Sequence, residues 1–140
     1  MIEALVFPDT RSAVFDLIHN SRHYSAAAGK LLDVRAAYHL PADNYGALLP
    51  PFPLAHIFPP VGTEGFVDRV ERIVVEVYAP GEQAVQVLES VRASIVGTDL
   101  DTPSGYLDRI DCDVTPSDVP YQSDTLNKAT MTLLVTSRPL

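Results

Sequence analysis

Residues 72–97 read RIVVEVYAPGEQAVQVLESVRASIVG, and this stretch decides the fold. Ile73, Val75 and Val77 alternate with Val74, Glu76 and Tyr78, the period of two that a strand buried on one face requires. Pro80–Gly81 breaks the pattern, and Ala84, Val87, Leu88, Val91 and Ile95 then recur at helical spacing. A strand, a sharp turn and an amphipathic helix follow one another, so the helix must cover one face of a sheet.

Two further strands are expected after the helix. At about Tyr106–Val114, Ile110, Cys112 and Val114 face one way, and Arg109, Asp111 and Asp113 the other. At about Lys128–Thr136, Ala129, Met131, Leu133 and Val135 alternate with threonines and Leu134. The intervening GTDLDTPSG reads as a loop. Upstream, Asp9 or Thr10 caps a helix to about Asn20 with Ala13, Val14, Leu17 and Ile18 inward. Ser25–Tyr38 reads as a second helix, or as a long excursion closed by Pro41. Pro50, Pro51, Pro53, Pro59 and Pro60 exclude a central strand from residues 42–60, leaving Leu54–Phe58 as a short edge strand. With the turn at Gly62 and Gly65, residues 54–78 form a hairpin arm. The expected fold is one α+β domain over residues 1–140, ordered α(α)ββαββ. Its sheet is four-stranded and mostly antiparallel, its helices lie on one face, and the hairpin arm projects.

The apolar fraction is 46%, enough for a folded core, and the apolar runs are far too short to span a membrane. The net charge of −8 opposes non-specific nucleic-acid binding, which depends on phosphate neutralisation. Between Gly97 and Thr125, Asp99, Asp101, Asp108, Asp111, Asp113, Asp118 and Asp124 stand against Arg109 alone. The first six are candidates for a charged channel wall or a solvated rim. Cys112 is the only cysteine, so no intrachain disulfide forms, and a reducing compartment fits. MIEALVFPDTR does not read as a secretory signal.

Catalytic patterns are missing. His19 and His23 are four apart but lack HExxH spacing, and Asp99, Asp101, Ser104 and Gly105 lack the order of a calcium loop. Asp111 and Asp113 share a strand face, yet no pocket is signalled to raise one pKa. No GxSxG, GxxxxGK[ST] or GxGxxG occurs. No cofactor, metal or catalytic residue is expected.

The segments DRVERIVVEVYAPGEQAVQVLESVRASIVG, YLDRIDCDV and KATMTLLVTSR, behind an N-terminal helix and a proline-rich lead, resemble the tail terminator (tail completion) proteins of long-tailed bacteriophages. The resemblance implies a structural virion protein with no enzymatic role. Such subunits form a ring, usually hexameric, that caps the head-proximal end of the tail tube and ends its polymerisation. The implied partners are other copies of the chain, the major tail tube protein and a head-completion or neck protein. DNA passes through without specific binding, no membrane is involved, and assembly takes place in the host cytoplasm. Phe58, Glu64, Phe66, Asp68 and Arg69, with the isolated Phe66 at the tip, are the expected subunit contact on the arm. A head–tail connector, a small α+β enzyme using His56, Asp111 and Asp113, and a non-viral binding domain are the competing readings.

Overall fold

The alternation in residues 72–78 does produce a strand, longer than its apolar run and flanked on both sides. In the computed structural model all residues are described except 1–5, 26–28, 65–67, 82, 122, 124 and 140; for 24, 25, 63 and 64 only the backbone is described. The chain order is α1 (Thr10–Ile18), β1 (Ser21–Ser25), β2 (Lys30–Ala37), β3 (Leu54–Ile57), β4 (Val61–Glu64), β5 (Arg69–Pro80), α2 (Gln83–Ile95), β6 (Gly97–Thr102), β7 (Gly105–Val119) and β8 (Leu126–Ser137). The strands form one sheet in the order β1-β2-β3-β5-β8-β7-β6, with β4 attached to β5. All neighbours are antiparallel except β2 and β3, which are parallel.

The described residues are therefore mostly β, 53% strand against 18% helix, and their curled mixed sheet forms a half-barrel. The expected four-stranded α+β layout is corrected at three places. Ser25–Tyr38 contains helix-forming residues, but Leu32, Val34 and Ala36 alternate inward. The segment becomes β2, paired with β1 across a turn at Gly29 (φ 67°). Burial of that alternating face outweighs intrinsic helix propensity. GTDLDT, too polar to announce itself, is β6, paired with β7 from Gly97↔Ile110 to Thr102↔Gly105. Leu54–Ile57 lies inside the sheet between β2 and β5 rather than at its edge, because the prolines flank the strand instead of occupying it.

Both helices fill the concave side. Helix α2 packs on β5, β8, β7 and β1, while α1 touches β2 and β3 near one end of the sheet and β7 and β6 at the other. Ala84, Val87, Leu88, Val91 and Ile95 lock onto Ile73, Val75, Val77, Ile110, Met131, Leu133 and Val135 in one buried cluster. Cys112 is only half-buried, because a bulge between Cys112 and Val114 turns β7 away from the core. Asp9 caps α1, its carboxylate accepting from Ser12 N–H at 3.1 Å.

The hairpin is real but does not project from the sheet over its described length. β5 pairs with β4 from Val61↔Arg72 to Glu64↔Arg69, and on its other side β8 pairs it as far as Arg69↔Ser137. The expected tip residue Phe66 lies outside the described residues.

His23 joins β1 to α2 and makes stability pH-dependent. Its ring, 4% exposed, sits between Ser21 Oγ (2.8 Å) and Ser90 Oγ (2.7 Å). The Ser21 hydroxyl donates to the Ile18 carbonyl, so Nε2–H donates to Ser21 and Nδ1 accepts from Ser90. Burial lowers the pKa of both His23 and His56. The unfolded chain therefore takes up these protons first, and stability falls as pH drops below about 6.5. Melting temperature should decline from pH 7.5 to 5.5, and His23→Gln should flatten the slope. An equal slope in parent and variant would remove His23 from this role.

Candidate interaction surface

Among the described residues, no helix covers the convex side of the sheet. Residues directly opposite one another share a face, so the register lays out that side in rows. One row runs Val61, Arg72, Leu134, Asp111 across β4, β5, β8 and β7. The next runs Val70, Thr136, Arg109, and on the other flank lies Val74 with Thr132 and Val114. Val61, Val70, Arg72 and Leu134, with Gly62, line an open cleft of about 260 Å³. Val61 is 75% exposed. An apolar centre bounded by charge is the composition of a contact surface.

Toward the other end of the sheet, loops cover the convex side. Leu54, Tyr78 and Leu126 are buried yet stand apart from the main core cluster. Tyr121 packs edge-on to Tyr78 at 5.2 Å, and Phe52 and Leu48 line a cleft with Tyr121 and Leu126. Lys128 bonds Glu76 at 3.3 Å above the Tyr78 ring, and burial pushes the Tyr78 hydroxyl pKa up. Arg11 anchors the start of the 38–53 loop by donating to the carbonyls of Ile57 (2.7 Å) and Tyr38 (3.0 Å).

That loop ends in a built turn. Asp43 Oδ1 accepts the N–H groups of Tyr45 (2.8 Å) and Ala47 (3.0 Å), Asp43 N–H bonds the Ala47 carbonyl, and Ala42 bridges Leu48. Gly46 takes φ 82°. Tyr45 stands at the apex, 96% exposed. The sequence reading passed over it inside the proline-rich stretch, although the DNYG turn chemistry signals it.

The acidic residues do not gather into one patch. Three take partners from the fold: Asp108 is held by Arg138 at 2.8 Å, Asp111 by Arg109 at 2.8 Å and Asp113 by Arg72 at 3.1 Å. Asp99 accepts from the Tyr106 hydroxyl. Asp101 and Asp118 are exposed and lie near opposite ends of β7, roughly 40 Å apart at strand rise. On the arm, the Phe58 ring packs tilted against His56 with centroids 4.3 Å apart. Asp68 is half-buried, and Glu64 is placed opposite Arg69 by the ladder. Arg69 lies over the Phe7 ring at 4.1 Å and 3.9 Å from Glu71, which is buried.

The residues of the enzyme reading do not converge. From β3, His56 Nε2–H donates to the Tyr38 carbonyl, while Asp111 and Asp113 are paired with arginines on β7 and β5. His19 accepts the Ala36 N–H at the end of α1, away from the serines that hold His23. Burial raises the Cys112 thiol pKa, which suppresses thiolate chemistry. Among the described residues no group of three or more His, Cys, Asp or Glu could hold a metal ion, and no helix is long and apolar enough to cross a membrane. The chain matches no protein-family model and no curated protein sequence.

Proposed function

We propose that this chain is a structural subunit of a long-tailed phage virion. It assembles head-to-tail into a ring, of six subunits in the resembled family, that caps the head-proximal end of the tail tube. The ring ends tube polymerisation, presents a joint to a head-completion or neck protein, and lets DNA pass without binding it. The observation that carries this reading is the division of the sheet. Its concave face is filled by α1 and α2, and among the described residues its convex face between β4 and β7 is left open, with Val61 and Val70 exposed and Leu134 half-buried. An uncovered sheet face of that kind suits a subunit that completes itself against another chain. The segments that carry the family resemblance are β5–α2, β7 and β8, the frame of this face. The hairpin residues Phe58, Glu64, Asp68 and Arg69 and the acidic set from Asp99 to Asp118 supply the ring contact and channel wall of the same proposal.

Sedimentation and negative-stain imaging of the purified protein test it. The expected result is a concentration-dependent closed ring that halts elongation when added to polymerising tail tube protein. A protein that stays monomeric at high concentration, alone and with tube protein, would sink the proposal.

A further inference from the structure

Tyr45 stands at the edge of the cleft lined by Phe52 and Tyr121 but, at 96% exposure, is not buried in it. Five hydrogen bonds hold residues 41–49 in one shape, so the aromatic ring is carried into water on a pre-formed tip. Aromatic side chains bury roughly 150–250 Å² each when they find a pocket, and tyrosine wants an apolar wall with a polar floor. The same molecule carries such a pocket. A cleft of about 730 Å³ opens between the first turns of α2 and the β7–β8 connection. Val85, Val119, Pro120 and Tyr121 supply apolar wall, and Gln86 and Asp118 supply acceptors for a hydroxyl.

We infer that Tyr45 of one copy inserts into this cleft of a second copy. The ring packs against Pro120 and Tyr121, and the hydroxyl donates to Asp118. Knob and cleft are different patches that adjoin at Tyr121, which lines both the cleft and the pocket beside the tip. In a ring each copy gives its knob to one neighbour and receives one from the other, a heterologous contact; a parent that stops at a reciprocal dimer would overturn this joint. The inference rests on the ring reading and names the joint that makes it.

Two variants separate the halves of the contact. Tyr45→Ala removes the knob, while Asp43, Gly46 and the backbone bonds still shape the tip. Gln86→Trp fills the cleft from an exposed helix position. By sedimentation each should associate roughly 30-fold or more weakly than the parent, the size of a buried aromatic hot spot. Mixed one to one, they should give a dimer and nothing larger, since only one productive knob–cleft pair remains. Both variants should melt like the parent. Unchanged rings from Tyr45→Ala, or no dimer on mixing, would overturn the inference while leaving the ring reading standing. Loss of tube-protein binding by Tyr45→Ala with self-association intact would assign the knob to the tube and overturn it likewise. A parent that never self-associates removes the ring reading itself.

Discussion

Val91→Asp is expected to cost roughly 3–5 kcal/mol, the scale of an uncompensated buried charge, and to lower the melting temperature by about 10–20 °C. Val91 is fully buried in α2, in the cluster shared by Ile73, Val75, Leu133 and Val135. A carboxylate there has no water, and hydrophobic side chains surround it. The penalty has a pH signature. The folded-state pKa of the new carboxyl is raised, so the loss is smallest below about pH 4 and grows as pH rises. Since domains are stable by only about 5–15 kcal/mol, the variant approaches unfolding at neutral pH. Val91→Ala, which removes methyl groups without adding charge, should cost clearly less. Equal melting of parent and Val91→Asp would mean that α2 does not sit on the concave face with this side inward.

Such a prediction was available from the sequence because β5, α2 and β8 are one-sided; β7 is so only in part, since its bulge puts Val114, expected on the face of Ile110, opposite Thr132 on the other face. Their periods of 2 and 3.6 put the apolar residues on one face, and few polar residues interrupt them. Legibility failed where local chemistry and tertiary role disagree. Lys30–Ala37 has the composition of a helix, and only its place between β1 and β3 makes it a strand. β6 carries Asp99 and Asp101 outward and shows only Leu100 and Thr102 at partly or fully buried positions, too few for a pattern. The parallel pairing of β2 with β3 depends on the crossover through residues 38–53, which no periodicity reports. With β1, β2, β4 and β6 unread, a curled half-barrel reads as a four-stranded sheet.

The surface was legible in kind but not in arrangement. The polar side with Thr130, Thr132, Asp111, Asp113 and Glu76 follows from alternation alone. Its charge balance does not, because Arg72 and Arg138 reach Asp113 and Asp108 from strands remote in sequence. The local excess of aspartate therefore overstates the field on this face. Tyr45 was passed over for a different reason: DNYG marks the turn but not the full exposure of the ring that the turn carries.

Gly62→Ala should show how much of the convex surface depends on one missing side chain. Gly62 pairs with Glu71 in the β4–β5 ladder. A Cβ at this position would collide with the Val70 carbonyl oxygen and come within 2.7 Å of the Glu71 Cα. Both are backbone atoms of a strand fixed on its other side by β8, so β4 must give way. The expected cost is about 1–3 kcal/mol, as for other overpacked sites, concentrated in the hairpin. Hydrogen exchange should accelerate at residues 61–64 and stay slow in β7 and β8. Val61→Ala, at an exposed neighbour, should melt within about 0.5 kcal/mol of the parent. The functional consequence separates stability from surface: Gly62→Ala disperses Val61 from Val70 and Leu134 and should weaken self-association while the core melts cooperatively. If Gly62→Ala exchanges and associates like the parent, then β4 does not lie against β5 as closely as the ladder requires, and the cleft at Val61 loses its place in the interface.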